Sequence, residues 1–173
     1  MNYCLILHAK AASDPAVREA VEWLRQQGAA VDVRVTWEPS QASVFAKEAA
    51  ERGVEIVVAG GGDGTIRRIT KELLDRKKLD KSWPIAALPL GTANNIAKSI
   101  GISGTPEEII RSWKTAVIKP YDIGRVYGAS GNKFFLESFG FGIFPSLMMV
   151  MEKQPKESIN TPEKSLQTAL EQL

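Results

Sequence analysis

The chain has 173 residues, 44% of them apolar and 24% charged, the balance of an ordinary soluble globular protein, which excludes a disordered or fibrous chain. A net charge of +2, with Lys and Arg scattered among Asp and Glu, gives no basic stripe of the kind that grips nucleic acid. No apolar run approaches the roughly 20 residues of a transmembrane helix, and a single cysteine, Cys4, permits no intramolecular disulfide.

The first ten residues, MNYCLILHAK, lack the basic start and small-residue cleavage site of a secretory signal, so a cytoplasmic protein is expected. Tyr3 to Leu7 reads as a buried strand, with Cys4 as a small buried hydrophobe. Asp14-Pro15 then supplies an N-cap and a proline at the first helical position. The helix that follows has Ala16, Val17, Ala20, Val21 and Leu24 as its apolar stripe, and Gly28 stands where a left-handed terminating residue is wanted. Ala30 to Thr36 alternates and is rich in β-branched residues, which marks a second strand.

Ser40 is the expected cap of a second helix with Val44, Phe45, Ala49 and Ala50 on its apolar side, closed by Gly53. The continuous apolar run from Val54 to Ala59 predicts a third strand buried on both faces. A loop over Gly60 to Thr65, a helix over Ile66 to Asp75 and a fourth strand over Ile85 to Leu88 complete the pattern. A second loop, Gly91 to Asn95, leads to a short helix over Ile96 to Ile100 that Gly101 ends. Thr105-Pro106-Glu107-Glu108 opens one more helix, with proline and acids in its first turn. Strands and helices alternating at this spacing predict an α/β fold: a parallel sheet flanked by helices.

From about Lys119 the pattern changes. Tyr121 to Tyr127 and Lys133 to Phe139 read as two antiparallel strands around a turn at Gly128 to Asn132, the start of an all-β second domain. The expected division is 1–118 and 119–173. A polar stretch, Lys153 to Ser158, precedes a helix-start signal at Thr161-Pro162-Glu163. Half a β domain exposes unpaired edges, so self-association or poor solubility is expected.

Two segments carry chemistry. Gly60-Gly-Gly-Asp63-Gly64-Thr65 lies between a buried strand and a helix. Glycines there let backbone N–H groups converge, and the helix N-terminus adds partial positive charge, so phosphate is the natural occupant. Thr65 adds a hydroxyl. Asp63 needs a specific task in such a cradle: accepting from a ribose or an amide, or orienting hydrated magnesium. The plainer reading is a tight turn in which Asp63 caps the helix. The second segment, Pro89-Leu-Gly-Thr92-Ala-Asn94-Asn95, follows the fourth strand. Both therefore leave the carboxyl ends of parallel strands, where open α/β sheets place ligands. Here Thr92 and the amides suit phosphate, ribose or a base edge, with Asn94 as a helix cap the alternative. A Walker loop is excluded because Ala97 stands where glycine must precede Lys98-Ser99, and a dinucleotide fingerprint because the loop follows the third strand and lacks its last glycine.

Gly-Gly-Asp-Gly-Thr followed some 25 residues later by Pro-Leu-Gly-Thr-Ala-Asn resembles the catalytic domain of diacylglycerol kinases, most closely bacterial YegS-type lipid kinases. Further matches are Val33 to Trp37, Asp122-Ile-Gly124, Phe139 to Gly142 and Thr161 to Lys164. The resemblance implies transfer of the γ-phosphoryl group of ATP to a lipid hydroxyl at a membrane surface, with Mg2+, in a cleft between the α/β domain and a β-sandwich. Carried over by position, the nucleotide contacts are Thr36, then Gly62, Asp63, Gly64, Thr65, Ile66, Arg67 and Arg68, and Thr92. The family's metal ligands and general base are expected beyond Leu173, so the chain alone is expected to turn over little.

There are departures from the family pattern. Arg67-Arg68 stand where Asn-Glu is usual, and can be read as phosphate ligands or as solvated helix surface. Asn94-Asn95 replaces a frequent Asn-Asp, and His8 a common Asn-Gly or Asn-Pro turn. Other readings are a kinase of NAD, a sugar phosphate or a sphingoid base, and a non-catalytic nucleotide-binding module.

Overall fold

The computed structural model describes residues 1–75, 83–128, 134–140 and 143–153. It divides into two units, Met1–Asp122 and Ile123–Leu173. The first is a four-stranded parallel sheet in the order β2-β1-β3-β4, made of β1 (Asn2–His8), β2 (Ala30–Thr36), β3 (Ile56–Gly61) and β4 (Ile85–Pro89). The helices between them are α1 (Ala9–Ala12), α2 (Pro15–Gln26), α3 (Gln41–Glu51), α4 (Asp63–Asp75), α5 (Asn95–Ser99) and α6 (Pro106–Ser112).

Side chains of a strand alternate between faces, and both faces of this sheet are apolar. Tyr3, Leu5, Leu7, Val58 and Leu88 pack with Val17, Ala20, Val21 and Leu24 of α2 and with Ile109 and Ile110 of α6. The Tyr3 ring stacks on Trp113 at 5.8 Å between centroids, and the Arg111 guanidinium lies over Trp23 at 4.3 Å, joining α6 to α2. The intervening strand residues Cys4, Ile6, Val57 and Ala59 are fully buried too, and α3 and α4 supply Ala46, Ala49 and Ile69 to the core. A fully buried Leu or Ile contributes roughly 1.5–3 kcal/mol, so this core stabilises the sheet by itself. Burial pushes the Cys4 thiol up to about 11, which makes it packing rather than a nucleophile.

Helix ends follow local chemistry in most places. Asp14 accepts from the Ala16 amide at 2.9 Å, with Pro15 in the first turn. Gly28 has φ +83° after α2, a conformation that costs glycine nothing. Thr105 and Glu108 form a reciprocal capping box at α6.

Four expectations are corrected. Ser40 makes no side-chain cap; the Gln41 Oε1 instead accepts from the Trp37 and Glu38 amides at 2.7 and 3.1 Å, pinning the chain before α3. Val44 is exposed, because the buried stripe of α3 is Ala42, Ala46, Ala49 and Ala50, small residues that let the helix lie close to its neighbours. In α2, Ala16 is only half-buried and Val17 fills the core position. The six-residue glycine loop is far shorter than expected: β3 runs through Gly60 and Gly61 and α4 begins at Asp63, leaving Gly62 alone between them. Gly60 and Gly61 keep strand geometry because Gly60 is paired with Leu7 of β1 and Leu88 of β4, and Gly61 with Pro89 of β4.

In the second unit, the described residues contain an antiparallel pair, β5 (Gly124–Arg125) with β6 (Phe134–Phe135), and a helix, α7 (Ile143–Lys153). The strands are two residues each, shorter than the expected Tyr121–Tyr127 and Lys133–Phe139, and α7 interrupts the all-β expectation. A side chain at Gly124 would collide with the Phe135 ring at 2.1 Å, which accounts for the glycine of the Asp122-Ile-Gly segment. The expected turn after Gly128, the polar stretch after Lys153 and the helix signal at Thr161 lie outside the described residues.

Candidate functional site

The strand order 2-1-3-4 reverses direction between β1 and β3, and open α/β sheets carry their ligand crevice at the carboxyl ends of the strands at such a switch point. Gly62 and Gly91 lie at this end of β3 and β4. The Leu90 amide donates to the Gly61 carbonyl at 3.1 Å, extending the β3–β4 ladder by one step. Immediately beyond it the two loops touch backbone to backbone. A Cβ on Gly91 would sit 2.4 Å from the Gly62 Cα and 2.9 Å from its nitrogen, so no other residue permits this approach. The two loops are thus in main-chain contact at Gly62 and Gly91, with no gap left between these two glycines.

Asp63 fastens the junction. Its Oδ2 accepts from the Asn95 amide at 3.1 Å and its Oδ1 from the Ile96 amide at 3.0 Å, more than 30 residues away in sequence. Its carboxylate thus caps α5, not the helix it opens. The expected alternative, Asn94 capping α5, is corrected: Asn94 is left-handed (φ 51°, ψ 40°) and makes no such bond. Its Oδ1 accepts from the Gly91 amide at 2.9 Å and its Nδ2 donates to the Gly91 carbonyl at 2.8 Å, closing the second loop on itself. Asparagine tolerates this backbone better than other side chains.

The remaining sequence-derived positions fall into distinct settings. The amides of Asp63 and Gly64 are in the first turn of α4, beyond reach of the helix's own carbonyls. Those of Thr65 and Ile66 donate to the Gly62 carbonyl at 2.9 and 3.3 Å. The Thr65 side chain packs on Gly61, where a Cβ would meet Thr65 Oγ1 at 2.5 Å. Ile66 is buried in the core, so only its main chain faces the loop. Arg68 is exposed and folds back, its Nη1 donating to the Gly64 carbonyl at 3.2 Å, while Arg67 is half-buried. Thr92 is exposed at the tip of the second loop. Thr36 is buried at the end of β2, its hydroxyl donating to the Leu7 carbonyl at 3.2 Å, and β1 separates it from the glycine loops. The lone histidine, His8, ends β1 and accepts through Nδ1 from the Lys10 amide, capping α1.

Sequence reasoning did not anticipate the Asp63 contacts with Asn95 and Ile96, nor the Asn94 contacts with Gly91. No periodicity reports a bond between residues 63 and 95; the available signal was an acid where a phosphate cradle would repel one. Among the described residues no three His, Cys, Asp or Glu side chains converge as a metal-ligand set.

The model of the diacylglycerol kinase catalytic domain matches residues 2–126. The chain belongs to that family. Among curated relatives it is similar to "Probable lipid kinase YegS-like" of Klebsiella pneumoniae (strain 342), 43% identical over 130 residues that make up 73% of this chain and 42% of that protein. The protein of the same name from Stenotrophomonas maltophilia (strain K279a) is 39% identical over 142 residues, 80% of this chain and 46% of the relative. A crystal structure of a diacylglycerol kinase from Bacillus anthracis str. Sterne superposes with a TM-score of 0.59 at 22% identity, over 78% of this chain and 44% of that one, a likeness of fold. The chain therefore spans less than half the length of the relatives it matches. Among the described residues no helix is long and apolar enough to cross a membrane.

Proposed function

We propose that residues 1–118 are the nucleotide-binding part of a lipid kinase that transfers the γ-phosphoryl group of ATP to a hydroxyl of a diacylglycerol- or phosphatidylglycerol-type lipid at a membrane surface. The observation that carries this reading is the joined pair of glycine loops, with the first turn of α4 starting at the carboxyl edge of the sheet. Phosphoryl transfer demands mainly positioning and charge stabilisation, which a rigid donor-rich rim supplies. In this reading the amides of Gly62, Asp63 and Gly64 and the hydroxyls of Thr65 and Thr92 meet the phosphates, and Thr36 fixes the end of β2.

Asp63 is then a positioning residue, since both its oxygens hold α5. Mg2+, when bound with the triphosphate, neutralises phosphate charge; a magnesium–nucleotide needs few protein carboxylates because the ion keeps phosphate oxygens and waters as ligands. That agrees with a rim offering amides and hydroxyls rather than an acidic cage.

Calorimetric titration of the 173-residue chain with ATP and Mg2+ tests the reading. The expected result is saturable binding that weakens severalfold in Thr92→Ala, an exposed position whose truncation leaves the fold intact. Absence of heat with every nucleotide, or equal affinity in the variant, contradicts the assignment of these loops.

A further inference from the structure

Among the four tryptophans Trp37 stands apart: Trp113 is buried, Trp23 and Trp83 are half-buried, and Trp37 is 78% exposed. A single exposed apolar side chain is ordinary on a protein surface. What distinguishes this one is its place and its anchoring. It follows Thr36 at the carboxyl end of β2, the same edge of the sheet as Gly62 and Gly91. Thr36 is in register with His8, and Leu7 with Gly60, so the ends of β2, β1 and β3 stand side by side. Two strand spacings, roughly 10 Å, separate the end of β2 from the glycine loops.

The backbone at Trp37 is held on both sides while the indole is left in solvent. Thr36 is fixed to the Leu7 carbonyl, and the Gln41 amide oxygen takes the N–H groups of both Trp37 and Glu38. An anchored main chain carrying a solvent-facing aromatic surface is a prepared stacking platform. In the strand order the switch point between β1 and β3 is the next strand pair along this edge. A nucleotide with its phosphates on the β3–β4 loops extends its ribose and base along this edge, over β1 and toward β2.

We infer that the Trp37 indole stacks on the base of the nucleotide whose phosphates lie on Gly62 to Thr65 and Thr92. The inference rests on the nucleotide-binding reading above and adds the component that recognises the base. Base–aromatic stacking is worth about 1–3 kcal/mol by alanine substitution, which is roughly a five- to 150-fold change in affinity.

The test titrates the chain, Trp37→Ala and Trp37→Phe with ATP and, separately, with inorganic tripolyphosphate, both with Mg2+. Thermal melting of each variant checks that the exposed position leaves the fold unchanged. The expected result is ATP binding weakened about tenfold or more in Trp37→Ala, largely restored in Trp37→Phe, and tripolyphosphate binding equal in all three. Unchanged ATP affinity in Trp37→Ala overturns the inference and leaves the phosphate assignment standing. An equal loss for ATP and tripolyphosphate overturns it as well, because stacking cannot act on a ligand without a base. Failure of the unsubstituted chain to bind either ligand overturns the underlying reading along with it.

Discussion

At the exit of β3 the chain enters a 13-residue helix after one residue, Gly62, whereas at the exit of β4 it takes Leu90 to Asn94 to reach a helix of only five residues. The first loop is held by its neighbours in the chain: Thr65 and Ile66 bond back to Gly62, and Ile66 and Ile69 anchor α4 in the core. A five-residue helix has no comparable stability of its own. The second loop depends on Asn94 folded onto Gly91, on main-chain contact with Gly62, and on the Asp63 carboxylate at the start of α5. The two halves of the candidate site are thus unequal. Order passes from the first loop to the second, so damage to their junction should loosen the second loop most.

Gly91→Ala should break that asymmetry most severely. Its Cβ would meet the Gly62 main chain at 2.4 Å, and neither backbone can move aside as a flexible side chain would. Overpacking of this kind costs about 2–3 kcal/mol. Chemical denaturation should show that loss, and nucleotide binding should disappear because the loops no longer share one rim. Stability and binding both equal to those of the parent would refute the claim that close approach is the reason for glycine here.

Asp63→Ala should act less strongly and more selectively. Two amides lose a charged acceptor, one of them part-buried, and loss of a helix cap costs about 1–2 kcal/mol. Hydrogen exchange is the informative measurement. The Asn95 and Ile96 amides should exchange faster, while the interior of α4 keeps its protection. If α4 loosened as much as α5, the carboxylate would be serving its own helix and the direction of support would be reversed.

The fold was legible where one physical rule governs a segment. Ala30 to Thr36 is a strand over its whole expected span, and the Asp14-Pro15 helix start is as the sequence indicates, because alternation and capping are local. Where tertiary packing overrode a local rule, the reading failed. Gly60 and Gly61 are poor strand formers by propensity, yet they remain in β3 because both neighbouring strands hold Gly60 and β4 holds Gly61. Val44 was assigned to the interior by its hydrophobicity, but the space beneath α3 admits alanines. Within the site, position in the sheet and the glycine requirement could be read from sequence. The bond from Asp63 to α5 could not, since nothing in either segment encodes the other's distance.

The smallest effect should come from Asn94, and here the ordering of two substitutions is more informative than either magnitude. Asn94→Gly removes the two side-chain bonds to Gly91 from a solvent-accessible loop, where water replaces much of what is lost, and should cost about 0.5–1 kcal/mol. Asn94→Ala removes the same bonds and also places a Cβ at φ 51° without the local polar compensation, adding about 1 kcal/mol. The truncation that leaves more side chain should therefore be the more harmful one, and paired denaturation curves would show it. Alanine proving as stable as glycine would mean that the second loop relaxes out of its left-handed turn once Asn94 is gone. Its shape would then be imposed by Asp63 and Gly62 alone, an even stronger dependence on the first loop than the native contacts require.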